Sequence, residues 1–234
     1  MTSTLTIVLV HGALTDASVW SGVAARLHSN GYHTIAPAMP LRGLQSDAEY
    51  LSAFLDTLTE PFVLVGHSYG GSILSHPLVS KPGLKGLVFV SAFLQDAGET
   101  AGELNGKWPG SSLGEATTIV RSYPGGNDMY LLPKHFAEVY AGDLSSQEAQ
   151  VLASAQRPID VKALSESFTG TPTWKTVPAY AVLSTEDRSL PPQAQRVMAE
   201  RANARILEVK ASHASPLSQA DAIAAVIAQA ASQV

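Results

Sequence analysis

Residues 66–71, with the sequence GHSYGG, constrain the fold of this chain more than any other stretch. An apolar run typical of a buried strand precedes them at residues 61–65, and a helix-like stretch follows from Ser72. A serine at such a strand-to-helix turn is held on a sharp bend, with its hydroxyl exposed above the edge of the sheet. Because the backbone at Gly66 and Gly70 comes close together in this turn, Cβ atoms there would clash. The pattern indicates a nucleophile at Ser68 or, alternatively, a glycine-rich turn without chemistry.

The composition narrows the class of protein. The chain has 234 residues, 45% of them apolar and 15% charged, which suits one large globular domain. The net charge of −5 and the absence of a basic run argue against nucleic-acid binding. The lack of cysteine excludes disulfides, thiolate metal sites and a cysteine nucleophile. The apolar run at residues 5–10 is too short for a signal peptide or a membrane span, so we expect a cytoplasmic protein that does not bind membranes.

Apolar runs alternate with helix-like segments along most of the chain. The runs that indicate strands lie at residues 5–10, 32–36, 61–65, 84–90, 177–184 and 205–209. Strands that alternate with helices form a mostly parallel sheet with helices on both faces. We therefore predict an α/β fold with about six strands and a last helix from about Pro216.

The pattern loosens between residues 95 and 175, which carry Gly, Pro, Ser and scattered aromatic residues. This stretch is too long for a bare loop in a compact domain. Its apolar periodicity is too weak for a domain that folds independently. We predict a helical cap insertion, with short helices near residues 134–140, 145–155 and 161–167. The expected domain is then 1–234, with its core at 1–94 and 176–234.

A serine nucleophile needs a base, and the base needs an acid that orients it. Ligands of parallel sheets bind at the carboxyl ends of the strands. His213 follows the last strand at this edge, whereas His67 should point away from the site and His11 is expected to be structural. Asp187, in the loop after residues 177–184, is the predicted acid, with Glu186 as the second choice. The order Ser, Asp, His along the chain matches that of α/β-hydrolases.

An oxyanion hole requires two backbone N–H donors that are already in place. The N–H of Tyr69, at the start of the helix after Ser68, is one candidate. The N–H of Ala13 is the other, because Gly12 lets the backbone approach the site without a Cβ in the way.

Six segments together resemble the α/β-hydrolase fold family over the whole chain. They are similar to small bacterial hydrolases that resemble plant methylesterases and hydroxynitrile lyases. These segments are VHGA at 10–13, VGHSYGG at 65–71, SAF at 91–93 with GE at 98–99, PTWK at 172–175, STEDR at 184–188 and ASH at 211–213. The resemblance implies a cap that roofs the site and a reaction on small-molecule esters or related acyl compounds.

We expect a carboxylic-ester hydrolase that uses Ser68, Asp187 and His213 without a metal or another cofactor. A lyase of the hydroxynitrile type is one alternative, although those lyases carry threonine where this chain has Gly12 and lysine where it has Ala214. A ligand-binding protein on a hydrolase scaffold is another. The oligomeric state has no signal in the sequence. The residues expected around the substrate are Gly12, Leu14, Trp20, Trp108, Tyr130, Leu131, Leu132, Phe136 and Trp174.

Overall fold

The computed structural model describes residues 5–233. The strands are β1 Thr6–Val10, β2 His33–Ile35, β3 Phe62–His67, β4 Leu84–Val90, β5 Thr118–Tyr123, β6 Gly126–Leu131, β7 Ile159–Asp160, β8 Ala179–Ser184 and β9 Arg205–Val209. The main sheet has six strands, all parallel, in the order β2-β1-β3-β4-β8-β9. A smaller sheet has three antiparallel strands, in the order β5-β6-β7. The predicted parallel sheet of about six strands is confirmed.

Helices cover both faces of the main sheet. The α-helices are α1 Ser21–Ser29, α2 Leu44–Leu55, α3 Tyr69–Ser75, α4 Ala101–Gly106, α5 Pro133–Val139, α6 Ser146–Ser154, α7 Val161–Ser165, α8 Pro192–Arg201, α9 Ser215–Ser218 and α10 Ala220–Ser232. Short 3-10 helices lie at Ala17–Trp20, Pro77–Val79 and Thr173–Lys175. Within residues 5–233, none of the helices combines the length and apolar character needed to cross a bilayer.

Alternate residues of the central strands point into two separate apolar clusters, because successive side chains of a strand face opposite sides of the sheet. In β1, Ile7 and Leu9 pack with α1 and α10 on one face, whereas Val8 and Val10 pack with α2, α3 and α8 on the other. Burial on both faces explains why these strands are continuous apolar runs. The predicted last helix is divided, because Gln219 separates α9 from α10.

The segment at residues 95–175 combines helices with strands. The helices expected near 134–140, 145–155 and 161–167 are present as α5, α6 and α7. The strands β5, β6 and β7 were not predicted. The β5–β6 hairpin turns at Pro124 and Gly125, where proline presets φ and Gly125 adopts φ +104°. A Pro-Gly pair after the β-branched residues 117–120 is the signal that could have revealed it.

Candidate active site

Ser68 occupies a strained turn between β3 and α3. Its φ of 54° is unusual for a residue with a side chain, and the turn holds it there. A Cβ at Gly66 would lie 2.9 Å from the carbonyl carbon of Gly70, and a Cβ at Gly70 would lie 2.6 Å from the Val10 carbonyl oxygen. The glycines therefore allow the elbow to pack closely on itself and on β1, which places Ser68 at the carboxyl edge of the sheet.

His213 joins Ser68 to Asp187. Its Nδ1 lies 2.6 Å from Asp187 Oδ2, and its Nε2 lies 2.8 Å from Ser68 Oγ. Because a carboxylate only accepts hydrogen bonds, Nδ1 carries the proton and Nε2 is free to accept one from the Ser68 hydroxyl. All three side chains are at least 94% buried. This arrangement can transfer a proton from Ser68 to His213 and hold the resulting imidazolium beside a negative charge.

Asp187 is held by groups that follow it in sequence. The backbone N–H groups of Ser189 and Leu190 both donate to Oδ1 at 2.8 Å, and Gln195 Nε2 donates to Oδ2 at 2.8 Å. The neighbouring Glu186 is exposed and lies 3.6 Å from Lys210 Nζ. The structure thus brings Asp187, and not Glu186, to His213. The supporting role of Gln195 was missed; its position in the helix directly after the acid loop was the only signal for it.

Two further histidines support the site through backbone groups. His67 is fully buried, and its Nε2 donates to the His213 carbonyl oxygen at 2.9 Å. Burial is the main cause that holds the pKa of His67 well below its usual value, and the repulsion that a protonated His213 would exert on a charged His67 acts in the same direction. His11 Nε2 accepts from the Met39 N–H at 2.9 Å, so its Nδ1 is protonated and donates to the Gly12 carbonyl at 2.9 Å. His11 thus stiffens the turn that it precedes, as its predicted structural role requires.

The two predicted oxyanion donors lie at the same cavity as Ser68 and His213. Ala13 and Tyr69 both line this cavity. Tyr69 is the first residue of α3, so its N–H has no carbonyl partner one turn earlier in the helix. Gly12 lies against the elbow, where a Cβ would come within 2.7 Å of the His67 carbonyl oxygen. Ala13 and Tyr69, whose N–H groups are the predicted donors, therefore both lie beside Ser68 at this cavity.

The cavity has a volume of about 220 Å³ and is mostly apolar. Residues of the body and of the 95–175 segment share its wall. Besides Ala13, Ser68, Tyr69 and His213, the lining residues are Leu14, Phe93, Ala101, Gly102, Asn105, Leu113, Gly114, Thr118, Met129, Tyr140, Leu164, Ser189 and Leu190. No Lys, Arg, Asp or Glu is among them. Burial raises the pKa of the Tyr69 and Tyr140 phenols, which stay neutral.

Most of the residues expected around the substrate lie elsewhere. Leu14 lines the cavity and Gly12 adjoins it, but Trp20 belongs to the apolar cluster on the α1 and α10 face of the sheet. Trp174 is buried and donates from Nε1 to the Gln95 carbonyl at 3.0 Å. The remaining five lie in the 95–175 segment and do not line the cavity: Leu131 and Phe136 are fully buried, whereas Trp108, Tyr130 and Leu132 are half-buried.

Several lining residues were not predicted. Ser189 and Leu190 follow Asp187 at the same sheet edge, and Phe93 follows β4 there, so their positions alone could have identified them. Met129, Tyr140 and Leu164 had no comparable signal, because their placement depends on how the 95–175 segment packs. Within residues 5–233, no group of three or more His, Asp or Glu side chains could hold a metal ion.

Comparisons with known proteins agree with the fold. A sequence profile described as the alpha/beta hydrolase family matches residues 7–226. Polyneuridine aldehyde esterase superimposes with a TM-score of 0.81 at 22% identity, covering 97% of this chain and 99% of its own. A pyrethroid hydrolase from Sphingobium faniae JZ-2 gives 0.80 at 20% identity, covering 97% of both chains.

A methylesterase from Arabidopsis gives a TM-score of 0.78 at 16% identity, covering 98% of this chain and 100% of its own. No curated protein sequence is significantly similar to this chain. At these identities the structural likeness establishes the fold alone. The matched profile extends over nearly the whole chain, and the chain belongs to the alpha/beta hydrolase family.

Proposed function

We propose that this protein is a serine hydrolase that cleaves carboxylic esters of small, uncharged molecules. The observation that carries the proposal is the placement of His213, with one ring nitrogen 2.8 Å from Ser68 Oγ and the other 2.6 Å from Asp187 Oδ2. A nucleophile, a base and an orienting acid in this order are the parts that acyl transfer needs.

In the first half of the reaction, Ser68 Oγ attacks the ester carbonyl carbon while His213 Nε2 takes the hydroxyl proton. The carbonyl oxygen becomes an oxyanion that accepts hydrogen bonds from the N–H groups of Ala13 and Tyr69. Asp187 stabilises the imidazolium. The carbon–oxygen bond to the alcohol then breaks, and His213 returns the proton to the leaving oxygen. An acyl group remains on Ser68.

In the second half, water attacks the acyl carbon and His213 takes a proton from it. The oxyanion forms again at the same two donors. When it collapses, the bond to Ser68 Oγ breaks and the serine recovers its proton from His213. The carboxylic acid leaves the cavity, and the site returns to its starting state.

The wall of the cavity supports an uncharged substrate. Its lining has no Lys, Arg, Asp or Glu, and the phenols of Tyr69 and Tyr140 already bond to Asp47 and Thr15. A charged substrate would lose its hydration without gaining a partner, which is costly. The comparison proteins support ester chemistry by their names, since two are esterases and one is a pyrethroid hydrolase.

The lyase alternative has less support. The position where the compared lyases carry threonine is Gly12, and a side chain there would collide with Ser68. The position where they carry lysine is Ala214, which is fully buried. The ligand-binding alternative leaves Ser68, His213 and Asp187 without a role.

The proposal is tested with p-nitrophenyl esters and a fluorophosphonate that modifies activated serines. We expect hydrolysis of neutral esters, a covalent phosphonyl adduct on Ser68 by mass spectrometry, and loss of both in Ser68→Ala. Removal of the nucleophile should cost on the order of 10⁴-fold or more in turnover. Ser72→Ala is the matched control, because Ser72 is buried in α3, the helix that follows Ser68, and its hydroxyl has no partner within residues 5–233. Binding of the esters without turnover would instead favour the ligand-binding alternative.

A further inference from the structure

We propose that Asp47 is a positioning residue for the Tyr69 N–H, one of the two backbone donors beside Ser68. We also propose that the β2–α2 loop, which contacts Asp47 on one side and His11 on the other, is itself held by the antiparallel sheet of the 95–175 segment. The inference rests on the proposed function, because it assigns a part in oxyanion stabilisation to contacts outside the cavity. It starts from Tyr69, which both follows Ser68 and lines the cavity.

Asp47 lies in the first turn of α2 and has no exposed surface. Its Oδ2 accepts a hydrogen bond from the Tyr69 phenol at 2.9 Å, and its Oδ1 accepts one from the Arg42 backbone N–H at 3.1 Å. A hydrogen bond to a buried carboxylate is among the stronger ones in proteins. By fixing the Tyr69 side chain, Asp47 restricts the first residue of α3, whose N–H is one of the two donors.

Packing alone does not account for a carboxylate at this place. Burial raises the pKa of Asp47, which means that enclosing the charged form has a free-energy cost. An apolar pair of similar volume would fill the same space without that cost. The carboxylate is instead directed at the side chain next to Ser68, which a positioning role explains.

The loop between β2 and α2 connects the hydrogen-bonded pair of Asp47 and Tyr69 to the antiparallel sheet. Arg42 Nη1 lies 2.5 Å from Asp128 Oδ1 of β6, and its guanidinium lies 4.9 Å from the ring centre of Tyr123 in β5. The Asp160 N–H of β7 donates to the Leu41 carbonyl at 2.9 Å. Leu41 has φ 60°, a conformation that needs such outside contacts to persist.

The same loop reaches the second donor. The Met39 N–H donates to His11 Nε2, and His11 Nδ1 donates to the carbonyl of Gly12, the residue before Ala13. The β2–α2 loop is therefore connected by hydrogen bonds to the backbone at both predicted donors. Asp47 connects it to Tyr69, and His11 connects it to Gly12, which precedes Ala13. Because oxyanion donors act by being in place before the reaction, a small displacement of this loop should reduce turnover.

Tyr69→Phe and Arg42→Met test the link. The first keeps the backbone N–H and removes only the phenol oxygen, whereas the second releases the loop from Asp128. We expect each to lower kcat about tenfold while KM stays within about twofold, because the lost interaction acts in the transition state. The matched control is Arg26→Met. It removes another arginine–aspartate ion pair, to Asp221, which joins α1 to α10 on the opposite face of the sheet. Within residues 5–233 the Arg26 side chain bonds only to Asp221 and to the Gly22 carbonyl, so its contacts do not reach Ser68.

A second measurement does not depend on turnover. In protein labelled with ¹⁵N-tyrosine, the Tyr69 amide resonance is identified by its absence in Tyr69→Phe. It should shift in Arg42→Met and in Asp47→Asn but not in Arg26→Met. If wild-type protein hydrolyses esters and both Tyr69→Phe and Arg42→Met keep full kcat, or if Arg26→Met loses as much, the positioning role is wrong. If wild-type protein hydrolyses no ester, the proposed function fails, and an unshifted Tyr69 resonance in Arg42→Met then overturns the link separately.

Discussion

Gly12 and Ser68 are packed so closely that a Cβ on Gly12 would lie 2.6 Å from the Ser68 Cβ. The same Cβ would lie 2.7 Å from the His67 carbonyl oxygen, which the elbow holds in place. Contacts this short force one of the two backbones to move. Position 12 therefore accepts no side chain unless the elbow or the turn before Ala13 shifts.

Gly12→Ala should reduce ester hydrolysis by at least about tenfold, because it displaces Ser68 or the Ala13 N–H from its place. The measurement is kcat/KM on a neutral p-nitrophenyl ester. Gly106→Ala is the control: Gly106 ends α4, and an added Cβ there meets nothing within 4 Å. That variant should keep its activity and be slightly more stable. Full activity in Gly12→Ala would show that the turn adjusts freely.

Asp187→Asn should lower kcat by about 10⁴-fold, because an amide neither stabilises the imidazolium nor enforces the tautomer that places the proton on Nδ1. Glu186→Gln should change kcat little, since Glu186 is exposed and faces Lys210. Steady-state kinetics on the same ester compare the two. If Glu186→Gln were the more damaging variant, Asp187 would not be the acid.

Leu164→Ala should change the order in which esters are preferred. Leu164 lines the cavity, and enlarging an apolar wall favours longer acyl chains by about tenfold or more in kcat/KM. Leu131→Ala is the paired comparison, because Leu131 is fully buried in the 95–175 segment but does not line the cavity. It should lower the free energy of unfolding by about 2–5 kcal/mol without altering that order. Acetate, butyrate and octanoate esters measured beside melting curves separate the two effects; an unchanged order in Leu164→Ala would place the acyl group elsewhere.

Acid should destabilise the fold partly through His67. Its pKa is lowered well below the usual value in the folded state, so it stays neutral there, whereas in the unfolded chain it takes up a proton below about pH 6.5. The unfolded state then binds more protons, and stability falls as the pH drops from about 6.5 towards the lowered folded-state pKa. One such group contributes up to about 1.4 kcal/mol per pH unit.

Denaturant unfolding of wild type and His67→Gln at pH 8, 6 and 5 measures this contribution. The variant should lose less stability between pH 6 and 5 than wild type does, with the values at pH 8 as the reference for each protein. Equal losses would mean that His67 does not remain neutral in the fold.

The sequence by itself determined the α/β architecture. A strand buried on both faces is a continuous apolar run, and a turn that requires glycine or proline has that residue at the turn itself. Both signals therefore come from neighbouring residues in the sequence. The elbow at Ser68 is a signal of this kind. The placement of Asp187 and His213 could be predicted too, because both follow strands whose carboxyl ends must meet at one edge of a parallel sheet. Their catalytic roles stay a proposal.

Only the tertiary structure decided which residues of the 95–175 segment meet the cavity. Trp174, Leu131 and Phe136 are as apolar as Met129 and Leu164, and burial lowers the free energy of either set in the same way. Whether such a side chain is buried away from the cavity or lines it depends on how the segment packs on the rest of the domain. The contact between Asp47 and Tyr69 has the same origin. It joins residues on different helices, and local sequence patterns do not predict which residues of two helices will be in contact.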